Sequence, residues 1–144
     1  MENKLNFNEQ PWLTMLNNAA TAFPLECCGF IMGHLENETP VVTMIIEVSN
    51  AAGPDKYHHF LISSKNYMAA EKFAEQHKLT LLGIYHSHPN RAPLPSIYDI
   101  KYALPTFFYV ILSVRNYEVT EIKCWQLDEH EQFRELMLDP LLIN

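Results

Sequence analysis

The run from Thr80 to His88 constrains this fold more than any other segment. Its apolar centre, Leu81-Leu82-Gly83-Ile84-Tyr85, has the length of a buried strand. It runs into a stretch holding Pro89, Pro93 and Pro95, where regular structure cannot continue. The segment before it is helical in pattern. Tyr67, Ala70, Phe73, Ala74 and His77 share one helix face, and Ser63 or Ser64 can cap its start. After the prolines, a short helix is expected from near Ser96 to before Pro105. A strand set between helices calls for an α/β arrangement, with helices packed on a sheet.

The remaining patterns extend that reading. Trp12, Met15, Leu16, Ala19 and Phe23 form an amphipathic stripe, with Asn8 as its cap and Pro24 as its stop. Cys27 to Gly33 reads as a short buried strand, Glu36-Asn37-Glu38 as a turn, and Val41 to Val48 as a β-branched strand. Residues 50 to 57 read as a loop, and His58 to Ile62 as a further strand. Phe107 to Val114 and Glu118 to Gln126 suit a hairpin around Arg115-Asn116-Tyr117. The tail from Glu129 to Asn144 is ambiguous between helix and strand. No internal repeat or linker divides the chain, so one domain over residues 1–144 is expected, with a mixed sheet.

Composition narrows the partners. The 144 residues are 48% hydrophobic and 19% charged, as folded domains are. Ten basic against seventeen acidic residues give a net charge of −7, which disfavours phosphate backbones and anionic membrane surfaces. Neither nucleic acid nor membrane is expected as a partner. The first residues lack the apolar stretch of a signal peptide, and no run approaches the ~18 apolar residues of a membrane span. Cys27, Cys28 and Cys124 are odd in number, two of them adjacent, which is no disulfide framework and fits a reducing compartment. The expected location is cytoplasmic.

Chemistry concentrates at Tyr85-His86-Ser87-His88-Pro89. Residues i and i+2 of a strand share a face, so His86 and His88 present two imidazoles side by side at the strand's end. A catalytic zinc takes three protein ligands and keeps a position open, and neutral imidazole suits it. Asp99, eleven residues past His88 and beyond the proline loop, is the natural third ligand. Ser96 and Asp99 also have the spacing of a capping box, which a helix start can combine with a metal-facing carboxylate. Glu26, leading into the first apolar strand, is the candidate general base.

Together these residues resemble the JAMM, or MPN+, metalloproteases. The family pattern is an early Glu, then His-x-His, seven residues, Ser, two residues and Asp. This chain reads Glu26, His86-Ser87-His88, seven residues from Pro89 to Pro95, Ser96, two residues and Asp99, with no departure in spacing. Pro24-Leu25-Glu26-Cys27-Cys28-Gly29 followed by Gly33, Phe60, and Gly83-Ile84-Tyr85 extend the likeness over roughly residues 10 to 126. The resemblance implies a curved mixed β-sheet flanked by helices, similar in architecture to cytidine deaminase. The deaminase signature itself is absent.

By that resemblance, His86, His88 and Asp99 bind Zn2+ with water in the fourth position. Glu26 moves a proton from that water to the leaving amine, and Ser96 donates a hydrogen bond to the developing oxyanion. The implied activity is that of a zinc-dependent peptidase or isopeptidase cutting after the C-terminal Gly-Gly of a small β-grasp protein. That protein is either a ubiquitin-like modifier or a sulfur carrier. The alternative is a non-catalytic scaffold or interaction module of the same fold. A purely structural zinc would want a fourth protein ligand, for which no Cys or His is well spaced. A cysteine-protease reading of Cys27 or Cys28 lacks an assigned His partner.

Overall fold

The computed structural model describes residues 4–57 and 59–141. In chain order the elements are β1 (Lys4–Asn8), α1 (Glu9–Ala22), β2 (Cys28–Glu36), β3 (Thr39–Val48), a 3-10 turn at Gly53–Asp55, α2 (Ser64–Gln76), β4 (Thr80–Pro89), α3 (Ile97–Lys101), β5 (Phe108–Arg115), β6 (Glu118–Leu127) and β7 (Phe133–Leu141). The seven strands close into a barrel in the order β1-β3-β2-β4-β5-β6-β7. β4 and β5 are parallel, as are β1 with β3 and β1 with β7; the other neighbours are antiparallel.

Two hairpins follow from local turn chemistry. β2 and β3 meet at Asn37 and Glu38, with φ of 52° and 69°. β5 and β6 meet at Asn116 and Tyr117, with φ of 48° and 65°. Two successive residues at positive φ match the right-handed strand twist, and Asn enters that region at little cost.

Side-chain alternation sorts the strands into two cores. Ile31 of β2 and Tyr85 of β4 join Leu5, Phe7, Val42, Val110, Leu112, Cys124 and Leu136 on the inner face, against Met15 and Ala19 of α1. Every strand contributes to that cluster, so α1 plugs the closed sheet. Cys28, Phe30 and Met32 of β2 and Ile84 of β4 point the other way, against Ala70 and Ala74 of α2. Adjacent Cys27 and Cys28 thus belong to opposite cores, and both are buried.

The mixed sheet and its helices agree with the expected curved α/β arrangement, and the curvature runs to closure. Closure depends on β1, which pairs with β3 on one side and β7 on the other, and which the sequence reading left out. The ambiguous tail is strand over Phe133–Leu141. The strand expected over His58 to Ile62 does not form over residues 59–62, and His58 lies outside the described residues. The backbone of that segment bonds elsewhere. Asn50 Nδ2 donates to His59 O, Leu61 N donates to Asn50 Oδ1, and Ala51 N donates to Leu61 O. Hydrogen bonds taken by a side chain and a loop are withheld from a ladder. Among the described residues, no helix is long and apolar enough to cross a membrane.

Candidate metal centre

The site forms where β2 and β4 part. Cys28 opposite His86 is the last β2–β4 pair, while β4 continues beside β5 through Ser87, His88 and Pro89. His86 and His88 therefore project on the α2 side at the mouth of a gap. Phe60 stacks on the His86 ring with centroids 4.3 Å apart. Across the gap the chain before β2 is held by Ser87. Its N–H donates to Cys27 O at 3.1 Å, and its Oγ accepts from Cys27 N at 2.8 Å. Glu26 is thereby fixed beside the histidines, two residues before β2 begins.

The donor atoms converge. His86 Nε2 and His88 Nε2 lie 3.1 Å apart. Asp99 Oδ1 is 3.3 Å from the first and Oδ2 is 3.5 Å from the second. Asp99 is delivered by the start of α3 as half of a capping box. Ser96 Oγ accepts from Asp99 N, and Ser96 N donates to Asp99 Oδ2. Asp99 thus caps α3 and at the same time turns its carboxylate toward the two histidines. Ligand atoms of Glu26, His86 and His88 also lie within 4.8 Å of one another, so the carboxylate of Glu26 borders the same point.

Protonation suits a cation. His88 Nδ1 lies 2.9 Å from Ala92 O, and a carbonyl only accepts, so Nδ1 donates there and Nε2 is the nitrogen turned toward His86 and Asp99. Complete burial lowers the His86 pKa and holds that ring neutral, against the pull of Asp99. Burial alone would raise the Asp99 pKa, but His86, His88 and the Ser96 N–H hold its carboxyl well below the usual range. Burial pushes Glu26 up to about 8, and the Arg91 guanidinium, which donates to Glu26 Oε2, offsets part of that rise. Two imidazole nitrogens facing each other at 3.1 Å beside a carboxylate held ionised match the nitrogen and oxygen donors of an open zinc site. The residues present fit that metal.

A groove of about 680 Å³ leads from this point between α2 and α3, lined by Phe60, Tyr67, Met68, Tyr98, Tyr102 and Tyr109 and reaching Asp99. His59 also lines it and stacks on Tyr98 at 5.0 Å. His34, His77 and His130 lie away from the site, paired with Glu36, Phe73 O and Glu129.

Two residues the sequence did not point to stand in the site's frame. Asn50 Nδ2 donates to Glu26 O and His59 O, while its Oδ1 accepts from Ala52 N and Leu61 N. Its signal, an Asn closing a strand, is common to many turns. Arg91 has none beyond a single charge in a proline-rich loop.

A closed mixed sheet plugged by one helix, with His-x-His at a strand end facing a helix-borne Asp, defines a protein of the JAB/MPN class. The chain matches the family of prokaryotic homologs of the JAB domain over residues 9–128 and belongs to it. It is a compact prokaryotic-type member of the JAMM/MPN family that the motif resembled. It is 28% identical over 129 residues to a desampylase of Pyrococcus furiosus, covering 90% of this chain and 86% of that one. A Desulfitobacterium hafniense protein solved in solution superposes with a TM-score of 0.80 at 23% identity, covering 94% and 92% of the two chains. A JAB1/MPN domain protein of Archaeoglobus fulgidus superposes at 0.61 and 18% identity, covering 96% and 97%. Those two share the fold.

Proposed function

We propose that this chain is a zinc-dependent hydrolase that cuts the amide bond after the C-terminal Gly-Gly of a small ubiquitin-like or sulfur-carrier protein. The observation that carries the reading is the convergence of His86 Nε2, His88 Nε2 and the Asp99 carboxylate within 3.5 Å of one another, with Glu26 buried at their side. The desampylase name of the Pyrococcus furiosus relative supports a protein modifier as substrate.

His86, His88 and Asp99 would hold the zinc, which when bound supplies a Lewis acid that polarises the scissile carbonyl and acidifies water. Glu26 serves as the proton carrier. Its carboxylate, buried beside the ring nitrogens of His86 and His88, stands where a proton would pass from water to the leaving amine. Ser96 already accepts the Asp99 N–H at 3.1 Å, so its own hydroxyl proton remains to be donated to charge developing on the carbonyl oxygen. The groove between α2 and α3 gives the substrate's approach an apolar wall, and a Gly-Gly tail is slim enough to reach a recessed centre.

The test is cleavage of a small ubiquitin-like protein extended beyond its C-terminal Gly-Gly, by zinc-loaded protein with and without chelator. Chelator-sensitive cleavage after the second glycine is expected. Zinc-loaded protein that cuts no such adduct would favour the scaffold reading.

A further inference from the structure

We propose that Tyr109 and Trp125 are positioning residues: together they clasp both ends of the α3 segment and hold the Asp99 carboxylate against His86 and His88. Zinc affinity then depends on two aromatic side chains that act through Asp99. The inference rests on the metal-centre reading above and deepens it.

α3 has little core of its own. None of the residues Ile97–Lys101 is buried, and Ile97 is 81% exposed. A helix of five residues is far too short to hold itself in water. Yet the Asp99 side chain is only 6% exposed, and its oxygens stand 3.3 and 3.5 Å from the two histidine nitrogens. The capping box of Ser96 and Asp99 orients the carboxylate within α3 but does not fix α3 on the sheet. The stack of Tyr98 on His59 joins it to a loop.

The sheet holds the segment by its two ends. Trp125 Nε1 donates to Pro93 O at 3.0 Å, just before α3. Leu104 N donates to the Tyr109 hydroxyl oxygen at 2.6 Å, just after it. Tyr109 and Trp125 are direct partners across β5 and β6. Tyr109 is also the partner of Ile84 on β4, and Ile84 shares a face with His86 two residues on. Both aromatic side chains pack in the core on the α2 side, with Ile84. Ladder hydrogen bonds therefore fix the clasp relative to the strand that bears both histidines. Tyr and Trp have two side-chain torsions each, so they lose little freedom in holding a backbone group. Trp125 has a second path as well, because Pro93 follows Ala92, whose carbonyl accepts from His88 Nδ1. Tyr109 grips the opposite end, beyond Asp99.

The experiment measures zinc affinity by competition with a chromogenic chelator, without substrate, on variants shown by circular dichroism to be folded. Tyr109→Phe and Trp125→Phe keep a ring and delete the bonding group. Each should weaken zinc binding by about 10-fold, and the double variant by about 100-fold, the range seen when groups behind metal ligands are lost. Tyr85→Phe deletes a like hydroxyl, bonded to Asn18 Oδ1 at 2.7 Å from the inner core, and should leave zinc affinity unchanged. In Asp99→Ala, where the clasped ligand is gone, Tyr109→Phe should change zinc affinity by less than about twofold. Unaltered affinity in Tyr109→Phe or Trp125→Phe, an equal loss in Tyr85→Phe, or the same loss from Tyr109→Phe with and without Asp99 would overturn the inference and leave the metal centre standing. If the unaltered protein takes up no zinc, the metal centre falls and the inference with it.

Discussion

Ser87 and Cys27 are joined twice, through Ser87 N–H to Cys27 O and through Cys27 N–H to Ser87 Oγ at 2.8 Å. The serine between the two histidines is thus the clamp that keeps the Glu26 segment beside β4 once the β2–β4 ladder has ended. Ser87→Ala leaves a buried N–H without its acceptor and should cost about 1–3 kcal/mol in urea unfolding. It should also lower kcat/KM while zinc content holds. Unchanged stability and turnover would show that the clamp contributes nothing.

Asn50 ties Glu26 to the loop that lines the groove, through four hydrogen bonds of one side-chain amide. Asn50→Asp keeps the shape but turns an oxygen toward the carbonyls of Glu26 and His59. It should therefore destabilise at least as much as Asn50→Ala, by about 1–3 kcal/mol each in thermal or urea unfolding. If Asp is tolerated and Ala is not, volume matters here rather than hydrogen bonding.

Glu26→Gln should retain zinc and lose turnover, since the amide cannot carry the proton. In metal-free protein it should also report the cost of burying the acid. The folded-state pKa of about 8 exceeds the ordinary 4.5, so the folded chain binds more protons across that window. Stability then falls as pH rises from 4.5 to 8, and the lost part is absent in Glu26→Gln. Thermal melts of the two metal-free proteins should diverge by up to a few kcal/mol at pH 9 and converge near pH 4. Parallel curves would contradict the burial argument, and retained turnover would remove Glu26 as proton carrier.

The local elements of this fold were legible wherever one side chain's period decided them. The α1 stripe, the α2 face and both hairpin turns needed only near neighbours in sequence. β1 was missed because its alternation, Leu5 and Phe7 inward, spans five residues with Lys4, Asn6 and Asn8 between. Its partners β3 and β7 lie far along the chain, and pairing at that distance leaves no local mark. Residues 59–62 misled for the opposite reason, since Asn50 takes the hydrogen bonds that their pattern assigns to a strand. The spacing of His86, His88 and Asp99 was legible because strand period and helix capping both act locally. The reach of Arg91 to Glu26 spans 65 positions and was not.

The three cysteines are free and buried, and burial pushes Cys27 up to about 11 and Cys28 up to about 12, with Cys124 also raised. A thiol held protonated and out of solvent is a poor nucleophile. Native protein should therefore react with a thiol reagent far more slowly than protein unfolded in denaturant, where all three titrate. Turnover should survive alkylating conditions that leave the fold intact. Fast native labelling of Cys27 or Cys28 would reopen a thiol mechanism.

Metal content decides whether His86, His88 and Asp99 form a zinc site. Purified protein and the His86→Ala/His88→Ala variant should be compared by elemental analysis, with circular dichroism to show that both are folded. About one zinc per chain is expected, lost in the folded double variant. Protein that carries no zinc and takes none up on reconstitution, or a double variant that keeps it, would contradict the assignment of His86, His88 and Asp99 as a metal centre.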